Sequence, residues 1–558
     1  MLLILCEWLF TLACLLPVGN WLHARLFRAE DDPIGDAVLH AVLLGLAACT
    51  AYATVWSFFG AVDAVCALVL SGLSLVLLIV RWHALFALAM GAWQRWRTVS
   101  WPVRLCGLLL VLIALVKSAS PSEIVDEGGY YLPYIRWIER FPLVPGIANI
   151  EDRMGFNSAF HMASALFGSA WCVPGGAYDL NGLLLVVVGT WFLGGVEAVV
   201  RHRFTASAVL RTFGLFFLMR NVLTTPAADL SNMLFGEVVL MLLMQRIERR
   251  NVLRADGGPY ILLVYALFVT TIKFSSLLLL LVPAYLIMRA LLVRMPVRWP
   301  LVIGLAVVLL VPWLVRSYQL SGYLVYPLYQ VDSFAPDWKV PRSIAVRQYH
   351  YVSEFAKTNA KPEESVALAK RRLSEWVPDW FARENAFNKG MALAIVLATI
   401  GMLIGSIWRS RRGLPDVDRS FFVLLLWVLL AVWFLKNPAF RFGWAWAIVF
   451  VAFAFHAFFS LLHAERWGRV LALGLFGVFL LQSVAKTMLE GRSVIMRHAV
   501  LPEPTASPDF PEEKWHGHPV RVTDLFCWGA APPCIPADRL ERIAPRGLRI
   551  TDGFRPQR

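Results

Sequence analysis

Charge is scarce in this chain. Only 16% of its 558 residues are Asp, Glu, Lys or Arg, against 58% hydrophobic, a balance that excludes an ordinary soluble protein of this length. No glycine-rich phosphate loop, dinucleotide fingerprint or internal repeat is present, which argues against a cytoplasmic ATP-driven pump. No basic residue precedes the first apolar run, Leu2–Leu16, and no small-residue cleavage site follows it. The expectation is an uncleaved anchor with its N-terminus outside the cytoplasm. Cys6, Cys14, Cys49, Cys66, Cys106 and Cys172 fall in or near apolar runs and read as packing residues. Cys527 and Cys534 alone stand in polar sequence, where an oxidising compartment would permit a disulfide. No further His or Cys at ligand spacing points to a metal there.

What the chain has in abundance is apolar runs of near-spanning length, separated by short basic loops. The formal charge of +14 is therefore read as the bias that keeps basic loops cytoplasmic, and nucleic acid is not expected as a partner. After Leu2–Leu16, runs are expected at 37–59, 61–80, 102–119, 180–200, 207–222, 230–244, 260–272, 277–290, 301–315, 391–408, 421–435, 444–462 and 471–484. The fold class is thus an all-α polytopic membrane protein with about 14 transmembrane helices by the ~20-residue criterion. Three parts are expected: residues 1–101 with three spans and a basic cytoplasmic loop, 102–484 as the main membrane module, and 485–558 as an extracytoplasmic tail. The tail is expected to pack on the bundle instead of folding alone. Arg211 and Arg220, inside one span, are expected to form interior ion pairs.

On this topology the polar turns gather on the outer side. The first outer loop, 120–160, carries Glu123, Asp126, Glu127, Tyr130, Arg153 and Asn157, with an amphipathic segment 130–140 expected to lie at the interface. Other outer turns supply Asp229 and Asn232, Lys273, and Arg441, and a large outer loop spans 316–388. Carboxylates crowded against a bilayer are costly and point to function or pairing. A carboxylate there can act as a general base, and Lys or Arg beside it can hold a lipid phosphate.

The residues that follow the fourth apolar run carry a resemblance. Asp126-Glu127 after a span, then Tyr130 and an interfacial segment, resembles the first outer loop of GT-C-fold integral membrane glycosyltransferases. Lys273-Phe274-Ser275-Ser276 is similar to a turn between later spans in bacterial members. The stretches Tyr131-Leu132-Pro133, Trp137-Ile138, Pro145-Gly146-Ile147-Ala148-Asn149, Arg153-Met154-Gly155-Phe156-Asn157-Ser158, Lys436-Asn437-Pro438, Arg441-Phe442-Gly443, Cys527-Trp528, Pro533-Cys534 and Asp552-Gly553-Phe554 are similar to a group of bacterial membrane proteins of that type. The resemblance implies a bacterial inner-membrane enzyme, active on the periplasmic face. It would move a sugar from a polyprenyl-phosphate donor to a glycan, lipid or protein acceptor by inverting single displacement. It implies Asp126 as base, Glu127 as its partner or alternative, Lys273 on the lipid phosphate, and Tyr130, Arg153, Asn157, Asp229 and Arg441 on substrate. A divalent metal is left open, and membrane lipids are the expected surroundings.

Plainer readings stand beside these. Asp126 can pair with Arg136 or Arg153, Asp229 can cap its helix, Lys273 can snorkel from a span end, and His161 can be a satisfied packing residue. A transporter or flippase of lipid-linked glycans, or a glycan polymerase, is the alternative function. Transport predicts polar residues spread through the spans at mid-membrane depth and often repeat symmetry.

Overall fold

A computed structural model describes residues 1–26, 34–120, 124–173, 176–220, 225–250, 252, 257–411, 416–503 and 507–557, with side chains at 34, 35, 217–220 and 408–411 left aside. Glu123 and the Arg220 side chain therefore lie outside the described residues.

Apolar runs bounded by charge or by proline become helices, in the order α1 Leu2–Leu26, α2 Ile34–Trp56, α3 Ala64–Val80, α4 Trp82–Thr98 and α5 Trp101–Ser118. After the first loop come α6 Leu132–Arg140, α7 Ala159–Phe167, α8 Leu180–Val200, α9 Ala206–Arg220, α10 Ala228–Glu248 and α11 Gly258–Ile272. A 3₁₀ turn, Phe274–Leu280, leads into α12 Leu281–Leu292, followed by α13 Trp299–Ser321. The large loop folds into α14 Arg342–Thr358, α15 Ser365–Leu368 and α16 Leu373–Arg383. Four long helices follow: α17 Ala386–Arg411, α18 Val417–Lys436, α19 Phe440–Leu461 and α20 Glu465–Glu490.

Eleven helices among the described residues are long and apolar enough to cross a membrane. The count of 14 came from three runs that the structure treats differently. The third run forms α3 and is followed by α4 at a bend of 82°, so the basic segment expected as a loop is itself a helix. The sixth and eighth runs form α9 and α11, of 15 residues each, which extend only ~23 Å against a hydrocarbon core of ~30 Å.

Enclosure varies across the bundle. In α10, 94% of the apolar window is buried, against 11% in α17. The hub is therefore α10, packed on α9, α11 and α19, while α17 turns Leu393, Val396, Leu397, Ile400 and Ile404 outward, as a helix solvated by lipid does. Inside, Arg211 pairs with Asp36 at 3.3 Å, and Asp36 also accepts from the Trp191 indole at 2.6 Å. Paired burial is the condition under which such charges persist away from water. Of the six cysteines in apolar sequence, Cys14, Cys49, Cys66 and Cys106 are buried, but Cys6 and Cys172 are exposed.

The loop segments meet at one end of the bundle. Asn149 donates to the Trp338 carbonyl at 2.8 Å, Ser353 donates to the Lys436 carbonyl at 2.5 Å, and the Trp380 indole donates to the Pro438 carbonyl at 3.1 Å. Two expectations change here. The amphipathic α6 does not lie on a surface: Leu132, Tyr134, Ile135, Trp137 and Ile138 are all buried, because chain packs on both sides. The Ile138 carbonyl accepts from Val62 N at 2.9 Å, and Leu143 N donates to the Ser57 carbonyl at 2.7 Å. Arg316 does not open a loop either; it sits in α13, buried, and donates to Ser57 Oγ at 2.8 Å and to the Tyr134 hydroxyl at 3.3 Å.

The tail departs from an all-α description. After α21 Arg492–Arg497 it forms β1 Glu512–Trp515, β2 His518–Thr523 and β3 Cys534–Pro536, then α22 Ala537–Leu540, β4 Ile543–Pro545 and β5 Phe554–Pro556. Strands β1 and β2 are antiparallel, β3 joins β2 in parallel, and β4 pairs with β5 antiparallel. His516 and Gly517, both at positive φ (49° and 86°), make the tight β1–β2 turn that matches strand twist. The tail packs back on the first loop. Phe554 N donates to the Pro145 carbonyl at 2.9 Å, and its ring meets Trp137 edge-on at 5.8 Å.

Candidate functional site

The first loop re-enters the bundle through a π-helical turn, Glu127–Tyr131, with Asp126 just ahead of it. The π ladder stops for a local reason. At π spacing Leu132 N donates to the Glu127 carbonyl, and the next donor in line would be residue 133, which is Pro and has no N–H. Such single π turns recur at functional sites. Downstream, Glu151 caps the 3₁₀ turn Asp152–Phe156 by accepting from Arg153 N, and its carboxylate also takes Arg153 Nε at 2.7 Å. That grip aims the guanidinium back at the π turn, where Arg153 Nη1 reaches Asp126 Oδ1 at 3.2 Å. The same cation lies over the Tyr130 ring, 4.7 Å from its centre.

A second pair forms beside the first. Lys273 ends α11 in extended conformation and forms an ion pair with Asp229 in the first turn of α10, where the helix dipole favours a carboxylate. Ser276 Oγ donates to Asn232 Oδ1 at 2.7 Å, tying the same two chain segments. Burial lowers the Lys273 ammonium below the ordinary lysine value, with the Asp229 carboxylate opposing it. The start of α19 joins the pairs. Arg441 Nη1 reaches Asp126 Oδ2 at 3.4 Å, and the next ring, Phe442, lies 3.5 Å from Lys273 Nζ.

Asp126, Arg153, Asp229, Lys273 and Arg441 are thus gathered from distant stretches of chain. Arg136 is not Asp126's partner; it serves Glu139 at 3.2 Å and the Gly529 carbonyl. Asp229 does not cap α10, whose N-cap is Ala227 without a side-chain bond. Lys273 does not snorkel away but turns inward to Asp229. Glu127, expected beside Asp126 as partner, is buried at 4% exposure, and the contacts to Asp126 come from the two arginines.

Tyr130 sits half-buried against Tyr131 at 4.4 Å, with Phe156 and His161 beyond. Burial, then the Asp126 charge, holds its phenol above the ordinary range. His161 is packed among Tyr130, Tyr131 and Tyr134, and burial pushes it down to about 3, so the ring is neutral. Among the described residues its Nε2 has no hydrogen-bond partner, so it is packed but only partly satisfied by them. Asn157 is not brought to the cluster. It is 1% exposed, adopts a left-handed φ of 51°, and exchanges bonds with Trp313: Nδ2 donates to that carbonyl and the indole donates back, both at 2.8 Å. Its role is to lock the loop to α13.

Cys527 and Cys534 form a disulfide with Cα atoms 5.9 Å apart. The ring it closes sets Trp528 against the π turn: Trp528 N donates to the Gly128 carbonyl at 3.0 Å. Sequence reasoning met Trp528 only as part of the Cys527-Trp528 element of the resemblance and gave it no role. Its signal is indirect, lying in Pro133, which withholds a donor from Gly128, and in Gly128 itself, where a Cβ would lie 2.3 Å from the indole.

Among the described residues no three His, Cys, Asp or Glu side chains converge as a metal-binding group. Arg441, 41% exposed, reaches Asp126 through one nitrogen and lies over the Phe442 ring, and among the described residues of the cluster it is the cation best placed to take an incoming anion.

The chain belongs to the family described as Domain of unknown function (DUF8201), whose model matches residues 1–450. No curated protein and no solved structure matches it.

Proposed function

We propose that this member of a family without an assigned activity is a GT-C-type membrane glycosyltransferase, acting on a polyprenyl-phosphate-linked sugar. One observation carries the reading: Asp126 meets Arg153 and Arg441 while Lys273 meets Asp229 a few side chains away, all at one end of a helix bundle. A carboxylate that can accept the proton of an attacking hydroxyl thereby stands beside cations suited to a departing lipid phosphate. In the proposed step the acceptor hydroxyl attacks the anomeric carbon and passes its proton to Asp126. The carbon–oxygen bond to phosphate breaks, and Arg441 and Lys273 stabilise the charge left on the phosphate. A single displacement inverts the anomeric carbon.

The acceptor is a glycan, lipid or protein of the cell envelope, and the active end faces the periplasm of a bacterial inner membrane. The basic residues of the opposite loops, Arg246, Arg249, Arg289 and Arg294 among them, support that orientation. The test is transfer from a defined polyprenyl-phosphate sugar in vesicles holding the wild type or Asp126→Asn. Full activity in the variant sinks the assigned base.

One observation favours the transport alternative. Glu237 lies at 0% exposure in α10, and among the described residues neither carboxylate oxygen has a hydrogen-bond partner. Buried acidic groups inside spans mark ion and substrate pathways in transporters. Movement of intact lipid-linked glycan across vesicles without sugar transfer would favour that reading.

A further inference from the structure

We infer that the disulfide loop 527–534 is the positioning element of the π turn, acting through the Trp528 amide on the Gly128 carbonyl; the inference rests on the reading of Asp126 as base. The observations run from backbone chemistry outward. A carbonyl with no helical donor must find one elsewhere or lose a hydrogen bond. With Leu132 N taken by the Glu127 carbonyl at π spacing and residue 133 a proline, the Gly128 carbonyl is left without a helical donor, and Trp528 N, 3.0 Å away, supplies one from a part of the chain 400 residues later. The indole then lies so close to Gly128 that a Cβ there would sit 2.3 Å from it, and Phe526 covers Gly129 at 3.5 Å from the equivalent point. Glycine at 128 is what lets the tail approach this closely, while the Phe526 distance at 129 is ordinary contact.

The loop is itself held for this task. Trp528 has a φ of 48°, a left-handed conformation that a bulky residue adopts only when its surroundings enforce it. Here the enforcement is the Cys527–Cys534 bridge, buried with Ala530, together with two donors to the Gly529 carbonyl: Arg136 Nε at 3.3 Å and Ser507 Oγ at 3.0 Å. Strain is thus concentrated on the residue that touches the turn carrying Asp126 and Tyr130. A turn free to relax toward ordinary α spacing would rotate Asp126 away from Arg153 and Arg441. The positioning element lies beyond residues 1–450, so the site is completed by a segment outside the stretch that the family model matches.

The test uses the full chain in detergent or vesicles, read by hydrogen exchange of the amides of residues 128–132 and by transfer kinetics. Cys527→Ala with Cys534→Ala is expected to speed exchange at these amides at least tenfold, with α8 and α10 unchanged. The same variant should lower kcat at least tenfold while KM for the donor stays within about twofold. Gly128→Ala should do the same by pushing the indole away. Adding Trp528→Gly should restore both readouts to within about threefold, since glycine keeps the donor amide, accepts the left-handed φ and makes room for the new methyl. Unchanged exchange in both first variants, faster exchange spread evenly over the bundle, or no rescue by the double variant each overturns the inference. Absence of sugar transfer by the wild type would overturn the proposed function instead, and the exchange arm would still decide whether the loop positions the turn.

Discussion

Arg441 Nη1 reaches Asp126 Oδ2 at 3.4 Å across a sequence separation of 315 residues. The contact joins the first turn of α19 to the loop after α5, and through Phe442 it brings the Lys273–Asp229 pair alongside. Each half of this arrangement has its own experimental consequence.

Arg441 and Arg153 should separate when truncated. Arg153 is committed to Glu151, Asp126 and Tyr130, so Arg153→Ala is expected to cost about 1–3 kcal/mol of stability, the range for hydrogen bonds to charged groups. Arg441 reaches Asp126 at 3.4 Å through one nitrogen, lies over the Phe442 ring and is 41% exposed. Arg441→Ala should leave thermal unfolding near wild type while raising KM for the donor roughly tenfold. Arg441→Lys should recover only part of the loss, since a point charge replaces a bidentate fork.

Removing one member of the Lys273–Asp229 pair should hurt more than removing both. Asp229 is 7% exposed and Lys273 27%, so Lys273→Met strands a carboxylate. The expected cost is about 2 kcal/mol, below the ~3–5 kcal/mol of fully buried pairs because Lys273 keeps some solvent. Asp229→Asn added to Lys273→Met should regain most of the melting temperature but none of the activity. Recovery of activity in the double variant would remove both residues from the site.

Asp152 gives a pH dependence. Burial, then the neighbouring Glu151 charge, pushes its carboxyl up to about 7, and it accepts from the Tyr326 hydroxyl at 3.4 Å. A carboxyl raised on folding binds its proton more tightly in the native state. Its contribution to stability is present at low pH and is lost as pH rises from the ordinary carboxylate range through about 7. Melting temperatures of the wild type should therefore fall between pH 5 and pH 8 more than those of Asp152→Asn. Parallel curves for the two proteins would contradict the assignment.

Gly146 has a φ of +70°, and a Cβ there would lie 2.0 Å from the Phe554 carbonyl oxygen. Gly146→Ala is expected to detach the end of the tail, exposing 543–557 to limited proteolysis while leaving the helical bundle resistant.

Much of the bundle was legible because lipid-facing helices advertise themselves by length. The run 180–200 is bounded by Asp179 and Arg201 and forms α8 with those same limits. Runs of marginal length were less informative: α9 and α11 are apolar but short, and nothing local distinguishes a short buried helix from a spanning one. The site was legible as a set of polar turns expected on one side, and Asp126, Arg153, Asp229, Lys273 and Arg441 do meet. Which partners which was not, because pairing depends on three-dimensional approach: Asp126 pairs with Arg153, 27 residues on, and not with the nearer Arg136. Asn157 looked like a substrate ligand since a polar side chain in a loop carries no mark of burial. The short tail strands carry too little alternating pattern to be read, and the role of Trp528 was not legible because its partner, the Gly128 carbonyl, lies 400 residues away.

The central claim is that Asp126 removes a proton from an acceptor hydroxyl during sugar transfer from a polyprenyl phosphate. The most direct measurement is single-turnover transfer in vesicles containing purified wild type or Asp126→Asn, each with its donor affinity and melting temperature recorded. The account expects donor binding and melting within experimental reach of wild type and a transfer rate lower by about 10²–10⁴-fold, the usual contribution of a general base. A variant that transfers sugar at the wild-type rate would contradict it.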